Sequence, residues 1–117
     1  MGNMAEIEIV RSLVLDIIKK FNPKEGNEIL DLMNSVSKSP RKGKPLGTVA
    51  GIVIKELKYR NFRFYFIADG YKMKFLKEDD LVDLLIRFVR MSDKKHQEGT
   101  IKEIKRILIS IGPKGFG

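Results

Sequence analysis

Alternation of apolar and polar side chains runs through residues 51–76, GIVIKELKYRNFRFYFIADGYKMKFL, and breaks at two turn signals. Asp69-Gly70 separates two alternating runs. Both residues tolerate a positive φ, so the pair predicts a two-residue hairpin turn. Arg60-Asn61 is a second turn candidate, because Asn enters the left-handed region readily. The stretch therefore predicts three antiparallel strands. A turn centred on Arg60-Asn61 sets Lys58 opposite Arg63, Leu57 opposite Phe64 and Glu56 opposite Tyr65. A turn at Asp69-Gly70 sets Ala68 opposite Tyr71, Phe66 opposite Met73 and Phe64 opposite Phe75, with Lys74 facing Tyr65 and Lys72 facing Ile67. Successive side chains point to opposite faces. One face thus collects Leu57, Phe62, Phe64, Phe66, Met73 and Phe75. The other collects Glu56, Lys58, Arg63, Tyr65, Lys72 and Lys74, a basic face containing one tyrosine. A one-residue slip would scramble this division.

The flanking segments predict helices and one more strand. The EIEIV run holding Ile7 and Ile9 reads as a first strand. Leu13, Ile17, Ile18 and Phe21 recur at helical spacing, with Ser12 as the candidate N-cap. Pro23 follows Asn22 and starts a second helix whose apolar positions are Ile29, Leu32, Met33 and Val36. A helical pair this short must bury its stripe, and the aromatic sheet face is the partner it predicts. Residues 39–47, SPRKGKPLG, read as a basic loop, either a flexible arm for phosphates or a solvated linker. After the acidic KEDDL comes an apolar run at residues 82–91 that fits a strand or a helix; its Val and Ile content favours a strand. Arg87 and Arg90 break its alternation, which calls for a bulge. A final helix is predicted over residues 100–110, with Ile101, Ile104, Ile107 and Leu108 as its stripe and Gly112-Pro113 as its stop. Residues 1–5 and 112–117 are expected to be mobile tails on a single domain spanning 1–117.

Composition narrows the chemistry. A length of 117 residues suits one domain that buries a core without staples. The chain has no cysteine and one histidine. That excludes a disulfide framework, a thiolate metal site, a cysteine nucleophile and a multi-histidine metal site. No apolar run approaches the ~20 residues of a membrane span, and no signal-peptide pattern opens the chain, so a cytoplasmic protein without a membrane partner is expected. Abundant Lys, Glu and Ile lean toward a thermophilic source. The net charge of +8 points to a polyanionic partner, nucleic acid or an acidic protein segment.

Several segments, taken in order, resemble the RelE/HigB-like toxins of toxin–antitoxin systems. Ser39-Pro40-Arg41, followed by Leu46 and Gly51, resembles the proline-containing segment that leads those proteins into their sheet. Asn61-Phe62-Arg63-Phe64-Tyr65 is similar to their aromatic-Arg strand motif. Lys94-Lys95-His96 matches a basic cluster after the last strand, and KEIKRIL, residues 102–108, resembles the closing helix. The resemblance covers roughly residues 36–108. It implies an α+β, RelE-like fold: an N-terminal strand and helical hairpin packed on an antiparallel sheet, with a C-terminal helix. It further implies a metal-independent endoribonuclease that cuts mRNA on the ribosome, has no small-molecule cofactor, and is bound by an acidic antitoxin peptide.

Such cleavage needs a base for the 2′-hydroxyl, charge stabilisation on the phosphorane and an acid for the leaving 5′-oxygen. Arg63 takes the position of the family's phosphate-gripping arginine, and its planar fork suits that task. Lys58 lies opposite it, where the family often has a basic residue. Lys94 falls at a second catalytic arginine. Arg90 stands where HigB-like members carry paired lysines. Two basic residues of the family's second strand match Ile54 and Glu56 here, with Lys55 displaced by one. His96 joins the catalytic candidates as the side chain with an unperturbed pKa near neutrality; the alternative is an exposed loop histidine. The RNA-binding candidates are Lys55, Arg60, Tyr65, Lys72, Lys74, Arg90 and Lys95. Tyr65 either stacks on a base or covers the sheet. Arg63 alternatively pairs with Glu56 as a ladder cation, and Lys58 alternatively guards an exposed strand against aggregation. A non-catalytic RNA- or DNA-binding module, or an antitoxin-like partner-binding module, would use the same basic face.

Overall fold

A computed structural model describes residues 4–117. Residues 1–3 of the expected N-terminal tail lie outside the described residues. The elements run β1 (Glu6–Ile9), α1 (Arg11–Lys20), α2 (Pro23–Lys38), β2 (Lys44–Val49), β3 (Ile52–Tyr59), β4 (Phe62–Asp69), α3 (Gly70–Phe75), β5 (Leu85–Asp93) and α4 (Gln97–Ser110). One five-stranded sheet has the order β1-β5-β4-β3-β2. It is antiparallel except that β1 pairs parallel with β5.

The β3–β4 hairpin has the predicted register, pairing Lys58 with Arg63, Leu57 with Phe64 and Glu56 with Tyr65. Its left-handed residue is Arg60, at φ 54°, rather than Asn61. The predicted bulge is also present: Tyr65 pairs with Arg90 but Phe66 with Phe88, leaving Val89 as the extra residue. The ambiguous apolar run is a strand from Leu85 onward. Residues Glu78–Asp83 before it form a 3-10 turn.

Asp69-Gly70 is not a hairpin turn. The Asp69 carboxylate accepts the Lys72 N–H at 3.0 Å and caps a helix, α3. An Asp-Gly pair serves a tight turn and a helix N-terminus equally well. The segment GYKMKF decides between them: its Met73 side chain is buried, while Tyr71 and Phe75 are exposed. Lys72 and Lys74 therefore leave the sheet. The third strand of the sheet is instead β2, within the stretch read as a basic loop. It joins β3 through Ala50 and Gly51, at φ 51° and 80°, the doubly positive turn whose twist suits a hairpin. Gly43, just before β2, has φ 98°, and a Cβ there would lie 2.9 Å from the Glu56 carbonyl.

Helices cover both faces of the sheet. On one face, Leu57, Phe64, Phe66 and Phe88 meet α1 and α2, which supply Leu13, Ile17, Ile29, Met33 and Val36. Phe21 stands edge-on to Phe62 at 5.0 Å between ring centroids. Phe64, Phe66 and Phe88 are fully buried, each worth about 1.5–3 kcal/mol in removed apolar surface. Asn22 and Glu25 close a reciprocal capping box at the start of α2, with Pro23 at its first position. Ser12 does not cap α1; Val10 holds that position, and the Ser12 N–H donates to the Gly117 carbonyl at 2.7 Å.

On the other face, Ile54, Tyr65 and Ile67 are buried with Ile104, Ile107 and Leu108 of α4. The face expected to be an open basic surface is thus half core. Residues 112–117 pack back onto the molecule: Phe116 is buried, and the Pro113 carbonyl accepts from the Arg87 guanidinium at 2.7 Å. Among the described residues no helix is long and apolar enough to cross a membrane.

Candidate functional site

Two cross-strand rows build the α4-side face. The first runs Lys44, Glu56, Tyr65, Arg90 across β2, β3, β4 and β5; the second runs Lys58, Arg63, Ser92. The second row lies at the end of the sheet where β3 turns into β4. There β5 ends and a 3-10 turn, Lys94–His96, leads into α4. This end gathers Lys58, Arg63, Lys94, Lys95 and His96. The local fold follows from short capping side chains. The Asp93 carboxylate accepts the His96 N–H at 2.9 Å, fixing the turn that swings the chain into α4.

Individual environments sort the candidates. Lys58 is exposed and makes no hydrogen bond or ion pair with a described residue. Arg63 is 8 % exposed, with Nη1 donating to the Phe62 carbonyl at 3.1 Å and more weakly to that of Arg60 at 3.4 Å. Its guanidinium is held by main chain rather than by the Glu56 carboxylate, which leaves donor capacity over. Lys94 and Lys95 are exposed. The His96 ring is exposed, and its Nδ1 lies 2.7 Å from Asp93 Oδ1. That contact directs Nε2 outward. The same bond holds the Asp93 carboxyl below its ordinary value.

Other candidates have structural work. Tyr65 has no exposed surface; its hydroxyl pairs with Ser92 Oγ at 2.8 Å. A side chain so placed covers the sheet and has no face to offer a base. Lys55 is 6 % exposed and points to the α2 side, where Nζ donates to the Arg41 carbonyl at 2.7 Å and contacts that of Pro40 at 3.4 Å. It straps the segment before β2 to the sheet. Burial, and then the nearby Arg41, lower its pKa. Arg90 donates to Glu103 of α4 at 2.8 Å and lies over the Phe116 ring. Arg60 pairs with Glu25 of α2 at 3.0 Å. Lys72 and Lys74 sit on α3, at the opposite end of β4 from Arg63.

Two site residues are not evident from the sequence. Lys44 sits within the stretch that reads as a loop. Glu56 is 8 % exposed, and its buried Oε2 has no hydrogen-bond partner among the described residues. A lone carboxylate on a face otherwise carrying Lys58, Arg63 and Tyr65 is the available signal. An unpartnered buried carboxylate oxygen is costly and calls for an explanation, of which a catalytic role is one. No cluster of three or more His, Cys, Asp or Glu among the described residues is arranged to hold a metal.

Comparison with solved structures supplies the fold's relative. A mutant of the E. coli toxin RelE, in its free state, superposes with a TM-score of 0.54, covering 92 % of this chain and 100 % of that chain at 14 % identity. The fold is RelE-like. The α+β architecture expected from the motifs is therefore the one observed: a strand and helical hairpin, a mostly antiparallel sheet and a closing helix. No family model matches the sequence, and no curated protein does. At this identity the likeness to RelE is one of fold, and what the rows of side chains do is argued from their chemistry.

Proposed function

We propose that the chain is the toxin of a toxin–antitoxin pair, a metal-independent endoribonuclease acting on mRNA, with the ribosome as the setting that the resemblance implies. One observation carries this reading: on a RelE-like sheet, the Lys58–Arg63 pair stands one row from Glu56, a buried carboxylate with a free oxygen. In this reading Glu56 accepts the proton of the 2′-hydroxyl through Oε1, since Oε2 is sealed from solvent, as the 2′-oxygen bonds to phosphorus. Arg63 and Lys58 stabilise the charge gathered on the phosphorane. His96, oriented by Asp93, donates the proton that leaves with the 5′-oxygen, and Lys94 adds positive charge beside it. The products are a 2′,3′-cyclic phosphate and a 5′-hydroxyl. Lys44 and Lys95 extend the cationic surface along which a strand lies.

An acidic antitoxin peptide is the partner implied alongside. A groove of about 420 Å3 between α1 and α2, lined by Ile9, Val14, Ile18, Phe21 and Leu30, supports an amphipathic segment docking there.

Burial of Arg63 favours a second reading, a binding module without cleavage. Incubation of the pure protein with single-stranded RNA and excess chelator separates the two. Cyclic-phosphate ends that vanish in the Lys58→Ala/Arg63→Ala variant support cleavage. Binding that weakens steeply with salt, with no new ends, supports the module.

A further inference from the structure

At the other end of the sheet from the Lys58–Arg63 row, a groove of about 430 Å3 opens on the α4-side face, beyond the last turn of α4. Its floor is Ile52 of β3, Ile67 of β4 and Leu85 of β5. One rim, at the start of α3 and the 3-10 turn, carries Asp69 and Asp83; the other, after α4, carries Ile111 and Lys114. Neither the proposed reaction nor the groove between α1 and α2 uses these residues. Much apolar surface is left in water here. Ile111 is 71 % exposed and Leu85 37 %, and Tyr71, Phe75 and Val82, on the elements that frame the first rim, are exposed as well. Tyr71 and Phe75 stack on each other, 4.8 Å between centroids, instead of entering the core. Apolar side chains gathered at one place on a surface and edged by polar groups mark a site of association.

Charge selects the occupant. From Asp69 to Asp83 carboxylates outnumber lysines, so the first rim disfavours RNA and an acidic peptide alike. It suits a basic surface, and the chain itself is basic, at +8. On the opposite rim the free cation is Lys114, because Arg87 beneath it is already paired with Glu8 at 3.2 Å. The Asp83 carboxylate and the Lys114 ammonium make no hydrogen bond or ion pair with a described residue. A groove with an unpaired anion on one rim and an unpaired cation on the other is complementary to itself, since a half turn lays each rim over its opposite. We propose that this groove is the interface of a twofold dimer. Ile111 of each copy enters the groove of the other, over Ile67 and Leu85, and Asp83 faces the partner's Lys114 at both ends of the contact. Such a dimer leaves both Lys58–Arg63 rows at the far ends of the two sheets, and it does not depend on what those rows do.

Sedimentation velocity of the full chain over a concentration series is the test. Wild type is expected to pass from the 13.4 kDa of one chain to twice that mass as concentration rises. Ile111→Lys, at an exposed position, keeps the melting temperature and remains a monomer throughout. Asp83→Lys sets like charges face to face at both ends of the contact and weakens the dimer by about tenfold or more. Adding Lys114→Asp to Asp83→Lys restores opposite charges, and the dimer with them. Should Ile111→Lys lower the melting temperature, the charge exchange decides alone. A wild type that stays monomeric at every concentration, whether or not it takes up a lysine-rich peptide, overturns the proposal. So does a dimer that a folded Ile111→Lys variant leaves intact, or an Asp83→Lys loss that Lys114→Asp does not reverse.

Discussion

Lys55 and Lys58 lie three residues apart on β3 and point to opposite faces. The same substitution, Lys→Met, therefore has two different expected outcomes. Lys55→Met keeps the aliphatic stem over Phe66 and removes the ammonium that bridges to the Arg41 and Pro40 carbonyls. A hydrogen bond from a charged donor is worth about 1.5–3 kcal/mol. Part of that is returned because the buried ammonium no longer has to be desolvated, the same burial that lowers its pKa. A net loss of about 1–2 kcal/mol remains, which lowers the melting temperature of a domain this size by roughly 4–8 °C. Its RNA affinity and salt dependence stay as in wild type. Lys58→Met leaves the melting temperature within about 1–2 °C, because an exposed unpaired lysine contributes little to stability. It reduces the slope of log K against log salt by roughly 0.7, one phosphate contact on a single strand. Thermal melts and RNA-binding titrations at several salt concentrations read both quantities. A Lys55→Met protein with an unchanged melting temperature and a shallower salt slope would refute the reasoning, since it would put Lys55 in solvent facing the RNA.

Other consequences rest on single contacts. Burial holds the Tyr65 phenol above its ordinary pKa of 10.0, against the opposing pull of its Ser92 hydrogen bond. The unfolded chain ionises first, so it binds fewer protons there and stability falls as pH rises above 10.0. Tyr65→Phe flattens that alkaline loss and costs about 0.5–1.5 kcal/mol at neutral pH, both read from urea titrations. Gly43→Ala combines a φ of 98° with a Cβ set against main chain, and denaturant unfolding should show a loss greater than about 1 kcal/mol. Glu56→Gln keeps the shape and removes the proton acceptor; RNA cleavage should fall by about a hundredfold or more with RNA affinity unchanged or improved. An unaltered cleavage rate in that variant would remove Glu56 from the chemistry.

The β3–β4 hairpin is legible because its register is over-determined. Every residue from Glu56 to Tyr65 sits opposite a partner of the kind alternation demands, and a slip would expose Phe64. The start of α2 is equally legible, since Asn22, Pro23 and Glu25 each state a helix N-terminus by local chemistry. Other features are hidden because they depend on what packs where. Alternation separates the two faces of β4 but does not say what covers each. It sends Tyr65 and Arg63 toward solvent only because the opposite face holds the phenylalanines. The signal against that is present: FRFYFIA is nearly continuous in apolar residues, the mark of a strand covered on both sides. The stripe of α4 has to bury against something, and Ile54, Tyr65 and Ile67 provide that surface. β2 is obscured because Pro45 and Gly47 read as loop residues, yet both are tolerated on an edge strand with an irregular register. Of the candidate site, Lys58, Arg63, Lys94, Lys95 and His96 come together at one end of the sheet. Lys55, Tyr65 and Arg90 are taken up by packing, and Glu56 needs the structure to show its unpaired oxygen.

Mapping of new RNA ends in a host expressing the chain tests the central claim most directly. Wild type and the Lys58→Ala/Arg63→Ala variant are induced to equal soluble levels, with growth followed in parallel. The account predicts growth arrest and new ends inside translated messages with wild type, and neither with the variant. Normal growth without new ends at matched soluble expression, or ends that persist in the variant, would contradict it.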